Sequence, residues 1–73
     1  MNTFSIWTRD GMNGWNKAGA MYADRKAAAD IAASCHGKVV FHGGGFHGVC
    51  TDVAVFPSTM GRVEVESKLA LRA

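Results

Sequence analysis

Apolar and polar residues alternate from Asn2 to Arg9, a period of two residues that is typical of a half-buried β-strand. An Asp-Gly pair and an Asn-Gly pair follow within residues 10–14, and such pairs favour tight hairpin turns. We therefore expect Trp15 to Ala23 to return as the second strand of a hairpin. A helix that starts at Asn16 is the alternative, but the glycines on either side of it disfavour a helix.

A helical period replaces the alternation between Asp24 and His36. Small and apolar residues recur there on one stripe, formed by Ala27, Ala28, Ile31, Ala32 and Cys35. Asp24 is suited to cap the N-terminus of the helix, and Gly37 suits the left-handed position after its C-terminus. Because the stripe is mostly alanine, the helix can lie close to a sheet but buries little area.

Alternation returns in the last part of the chain. Lys38 to His42 and Val49 to Phe56 are expected to be strands, separated by a glycine-rich loop. After a turn at residues 57–61, Val63, Val65, Ser67, Leu69 and Leu71 alternate with Arg62, Glu64, Glu66, Lys68 and Arg72. This pattern predicts a final strand.

The predicted order is therefore β-β-α-β-β-β over a single small domain, residues 1–73. Short connections imply an α+β fold in which a mostly antiparallel sheet of about five strands packs against one helix. One helix covers only part of such a sheet, so the remaining surface is expected to face water, a second copy or a partner.

Composition strengthens the expectation of a partner. The chain has 73 residues, of which 48% are apolar, and many of these are alanine. Ordering such a chain costs about 110 kcal/mol, which a core this thin can barely offset. Self-association as a homodimer or binding to another protein would bury more apolar surface.

Charge and cysteine content exclude several classes of protein. Eight Lys and Arg against six Asp and Glu give a net charge of +2, spread evenly along the chain, which disfavours nucleic-acid binding. The uncharged runs are too short to span a bilayer, and no export signal is apparent. Two cysteines are too few for a disulfide framework, so we expect a cytoplasmic protein, in the host cell if a phage encodes it.

The glycine-rich stretch from His42 to Gly48 resembles the oxyanion-hole motif of hormone-sensitive-lipase-type esterases. That resemblance implies an acyl-transfer enzyme, but the chain has no Gly-x-Ser-x-Gly nucleophile motif. The same glycines match a dinucleotide fingerprint, which requires a following helix, whereas Val49 to Phe56 favours a strand. We therefore predict a flexible loop or a glycine-lined contact surface, no enzymatic activity and no cofactor.

Cysteines and histidines supply a candidate zinc set, formed by Cys35, His36, His42, His47 and Cys50. Adjacent Cys35 and His36 do not have the usual spacing of structural zinc ligands, and a buried thiol is ordinary on a helix stripe. A zinc-stapled fold is therefore kept only as the second alternative.

The first two predicted strands place tryptophans and cations on one face, namely Trp7, Arg9, Trp15 and Lys17. These side chains could fill the core, anchor a protein interface, or stack bases as sheet-based single-strand binders do. The low net charge favours a protein partner over nucleic acid.

In size and α+β character the chain resembles small accessory proteins of phages and mobile elements, among them the anti-CRISPR inhibitors, although no residue motif is shared. The resemblance implies a non-catalytic inhibitor that occludes a surface of a host protein complex. We predict protein contacts through Trp7, Arg9, Trp15 and Lys17, with a second contact region at Gly44, Phe46 and His47. A small nucleic-acid-binding module that uses the same tryptophan–cation face is the alternative.

Overall fold

The computed structural model of the chain describes residues 2–10, 14–41 and 47–71. In chain order the elements are β1 (Phe4–Asp10), β2 (Gly14–Tyr22), α1 (Arg25–Cys35), β3 (Val39–Phe41), β4 (His47–Pro57) and α2 (Arg62–Ala70). Three long antiparallel strands form the sheet, and the short β3 extends it at the β4 side, in the order β2-β1-β4-β3.

Local sequence signals explain the first half of the fold. The hairpin between β1 and β2 forms as predicted, with Asp10 opposite Gly14. Asp24 caps α1 as predicted, because its side chain accepts a hydrogen bond from the Lys26 N–H at 3.2 Å. Gly37 follows the helix with a φ of 81°, a left-handed conformation that glycine adopts without a steric penalty.

Successive residues of β1 point to opposite faces of the sheet and build two separate cores. Ile6 packs against Ala28 and Ala32 of α1. Its neighbour Trp7 packs on the other face, against Val65 and Leu69 of α2. The molecule therefore has three layers, with one helix on each face of the sheet.

The prediction of a final strand is wrong, because residues 62–70 form α2. Four strands and two helices replace the predicted five strands and one helix, although the α+β class is correct. The helix buries Val65 and Leu69, four residues apart, and leaves Val63 and Leu71 exposed at 83% and 84%. A strand would have put all four side chains on one side without covering the sheet.

Residues 62–70 form a helix because of the sheet face for which the sequence pattern predicted no covering element. Trp7, Ala54 and Phe56 form an apolar surface there, and a helix covers such a surface better than another edge strand does. The expectation that this face lacks a covering element is therefore also wrong, since α2 lies over its centre.

Candidate functional site

Strand pairing brings the four predicted contact residues of the hairpin to one face of the sheet. Trp7 lies opposite Lys17, and Arg9 lies opposite Trp15. Directly opposed residues of an antiparallel pair share a face, so the predicted grouping holds. This is the face on which α2 packs.

Helix α2 covers Trp7 but leaves Trp15 partly accessible to solvent. Trp7 is only 2% exposed, whereas Trp15 is half-buried at the margin of the same core. The Arg62 guanidinium of α2 lies 5.5 Å from the centre of a Trp7 ring, within the range of a cation–π contact. In this conformation Trp7 has no free ring face on which a nucleic-acid base could stack.

The indole N–H of Trp7 is a buried donor for which the described residues provide no hydrogen-bond acceptor. Most buried polar groups in native proteins are paired, because leaving one unpaired costs about 1–3 kcal/mol. The sheet face around Trp7 is therefore packed with apolar side chains, but the buried Trp7 N–H lacks a hydrogen-bond acceptor among the described residues.

The end of β1 and the start of β4 lie at the same end of the sheet, because β4 is antiparallel to β1 and Cys50 lies opposite Asp10. In the second predicted contact region, Gly44 and Phe46 lie outside the described residues. Only the backbone of His47 is described, where it begins β4.

At this end, two groups of opposed side chains lie on the face that also carries α2, one across β2, β1 and β4 and the other across β4 and β3. We call them together the cross-strand strip, which consists of Trp15, Arg9, Asp52, Val49 and Val39. Arg9 lies opposite both Trp15 and Asp52, and Val49 lies opposite Val39. Val49 reaches this face because Cys50, the next residue, points to the α1 side with its partner Asp10.

The two valines of the cross-strand strip are the residues that sequence reasoning missed. Val39 is 56% exposed and Val49 is 52% exposed, although they form a directly opposed β-branched pair that a sheet normally covers. Each lies within a predicted strand, but only the pairing of β3 with β4 shows that they face the same side as Arg9 and Trp15.

Cations and carboxylates both lie on the sheet face that carries the cross-strand strip. The Lys17 ammonium donates to the Ser58 carbonyl at 3.0 Å, and Arg62 donates to the Trp15 carbonyl at 2.6 Å. Arg9 is exposed, and Asp52 is the acidic member of the strip. The Asp52 carboxylate accepts the Val53 N–H at 2.8 Å. Arg62 is also paired with the Glu66 carboxylate at 3.3 Å, so the exposed Arg9 is the cation through which the strip would favour a negatively charged partner.

Within the part of the chain that the structure describes, no group of three or more His, Cys, Asp and Glu residues could hold a metal ion. His42 and the side chain of His47 lie outside that part. Burial of the Cys50 thiol raises its pKa, which disfavours the thiolate that a metal would require. Cys35 and Cys50 are both free thiols.

The described residues include no helix that is long and apolar enough to cross a membrane. Comparison of the chain with protein-family models, curated protein sequences and solved structures finds no match. The geometry of the cross-strand strip is thus what the functional proposal rests on.

Proposed function

We propose that this chain is a non-catalytic protein-binding module, and that it inhibits a host protein complex by occluding one of its surfaces. The observation that carries the proposal is the exposed Val39–Val49 pair on the same sheet face as Arg9 and Trp15. Exposed apolar side chains grouped with tryptophan and arginine are typical of protein interfaces.

The chemistry of the strip defines the partner it would fit. The Val39–Val49 pair offers a small exposed apolar patch, and the half-buried Trp15 offers a second one on the other side of β1. The exposed Arg9 lies between these two patches and favours a carboxylate on the partner. We therefore propose a protein surface with an apolar patch and a flanking carboxylate as the occupant.

A charge placed on the strip tests this proposal. Val49→Glu introduces a carboxylate at an exposed position, so folding should be little affected while binding through the strip is lost. Met21→Glu is the matched control, because Met21 is also exposed, at 63%. It lies opposite Ser5, at the end of β2 that is farther from the cross-strand strip. Immobilised wild-type protein and both variants are compared in capture from a host lysate.

The expected result is a protein retained by the wild type and by Met21→Glu but lost with Val49→Glu, at unchanged melting temperatures. A captured protein that is retained equally by both variants would contradict the role of the strip. Binding of a short single-stranded oligonucleotide that weakens steeply as salt rises would instead favour a nucleic-acid-binding module.

A further inference from the structure

Helix α2 is held to the sheet by few interactions. It buries only Val65 and Leu69, while Val63 and the C-cap residue Leu71 are exposed. Its N-cap, Gly61, supplies no side-chain hydrogen bond. Among the described residues, the polar contacts of α2 with the sheet are made by the Arg62 side chain, with the Trp15 carbonyl and the Trp7 ring.

The segment before α2 is anchored much more firmly. The Ser58 N–H donates to the Thr3 carbonyl at 2.9 Å, and the Ser58 carbonyl accepts from the Lys17 ammonium at 3.0 Å. The Ser58 and Ser5 hydroxyls are hydrogen-bonded at 2.9 Å. The Met60 N–H also donates to the Pro57 carbonyl at 3.0 Å, so any movement of α2 would hinge after Met60, at Gly61, and leave the sheet intact.

The surface under α2 is itself suited to a ligand. Trp7, Ala54 and Phe56 form its apolar floor, and the buried Trp7 N–H has no acceptor among the described residues. Arg9 and Lys17 lie on the same face and would stay with the sheet if α2 moved. This floor is continuous with the cross-strand strip.

We infer that α2 is a displaceable cover, and that an amphipathic, acidic helix of the partner takes its place on the Trp7 face. The inference rests on the proposed protein-binding function and extends the binding surface from the cross-strand strip to Trp7. The geometry of α2 indicates the form of the occupant, because its own two buried residues are four apart, as on one face of a helix. An acidic helix would add carboxylates for Arg9 and Lys17 and an acceptor for the Trp7 N–H.

Opening of α2 is tested on the full chain without any partner, by residue-resolved hydrogen exchange. Local opening predicts that the amides of α2 exchange at least about tenfold faster than those of β1 and of the buried turn of α1. Leu69→Ala should accelerate exchange in α2 alone, and Leu71→Ala, at a residue that is 84% exposed, is its matched control. Gly61→Asp adds an N-cap and a favourable charge, and should slow exchange in α2 about threefold.

Equal exchange in α2 and β1, or a Leu69→Ala effect spread evenly over the whole chain, would overturn the displaceable cover. If Leu69→Ala fails to fold, the comparison of Gly61→Asp with the wild type still decides the point. Because these measurements need no partner, they can fail or succeed independently of the lysate capture.

The occupant is tested by tryptophan fluorescence of the wild type and of Trp15→Phe, in which Trp7 is the only tryptophan. The probe is a synthetic helical peptide with leucines at i and i+4 flanked by glutamates, compared with its scrambled sequence and with a lysine-for-glutamate version. Only the acidic helix should change Trp7 emission saturably, and Gly61→Asp should weaken its binding by the factor by which it slows opening. Equal binding of the scrambled peptide, or no change in Trp7 emission, would refute the proposed occupant.

Discussion

Gly48 lies against the carboxyl group of Asp10, where β4 passes the end of β1. A Cβ at residue 48 would overlap that carboxyl group, and Asp10 is only 5% exposed, so it has little room to move. In contrast, a Cβ on Gly19 in β2 would meet no atom within 4 Å. The two glycines look alike in sequence, and only the structure shows that one is required by close packing.

Gly48→Ala should therefore lower the free energy of unfolding by about 1–3 kcal/mol, because the buried Asp10 must shift. Gly19→Ala is the matched control and should be neutral or slightly stabilising, since it restricts the unfolded chain without a clash. Urea denaturation of both variants measures the difference. Equal stabilities would show that Asp10 moves aside at no cost.

The two cysteines differ in burial and should differ in reactivity. Desolvation raises the pKa of the Cys50 thiol, and its Sγ lies 3.2 Å from the Asp52 carbonyl. Since the thiolate is the reactive form, iodoacetamide at neutral pH should label Cys35 well before Cys50. Mass spectrometry of the wild type, with Cys35→Ser as the control that leaves Cys50 alone, measures both rates.

The same raised pKa predicts a pH dependence of stability. The protonated Cys50 thiol is favoured in the folded state, so this contribution is complete below the ordinary cysteine pKa and is lost as pH rises through the raised value. The stability of the wild type should therefore fall more steeply at alkaline pH than that of Cys50→Ala. Parallel pH profiles would argue against this linkage.

At the scale of elements, local signals predicted some parts of the fold and failed for one. Residues close in the chain mark where the first hairpin turns and where α1 begins and ends. They are the Asp-Gly and Asn-Gly pairs, the Asp24 cap and Gly37. Helix α2 has no side-chain cap and an alternating pattern that favours a strand. Its conformation was decided by the sheet face that it covers.

Paired substitutions in α2 distinguish the helix from the predicted strand. In a strand Val63 and Val65 would share a face, whereas in α2 Val65 is fully buried and Val63 is 83% exposed. Val65→Ala should therefore cost about 1–3 kcal/mol of stability, and Val63→Ala less than about 0.5 kcal/mol. Thermal melts of the two variants measure this, and similar losses would support the strand.

At the scale of the whole molecule, a helix packs on each face of the sheet, while the outer edge of β4 is only partly paired. Beyond its pairing with β3, β4 has no strand partner on this side among the described residues. The Asp52 carboxylate binds the Val53 N–H, and Pro57 has no N–H to donate. Such features protect an edge from pairing with another chain.

Removing this protection should promote self-association. Asp52→Ala removes the acceptor of the Val53 N–H, which can then pair with the strand of another molecule. The average mass in solution should therefore rise at high protein concentration, as measured by light scattering. Asp30→Ala is the control, because it makes the same change of charge at an exposed position on α1. An equal rise for both variants would assign the effect to net charge rather than to the edge.

The sequence by itself determined the α+β class, the hairpin, α1 and the grouping of Arg9 and Trp15, because these depend on periodicity and on residues close in the chain. Only the tertiary structure decided that residues 62–70 form a helix, that Trp7 lies under it, and that Val39 and Val49 extend the strip. Those features depend on contacts between residues far apart in sequence, where burial of the Trp7 face outweighs a local preference for a strand.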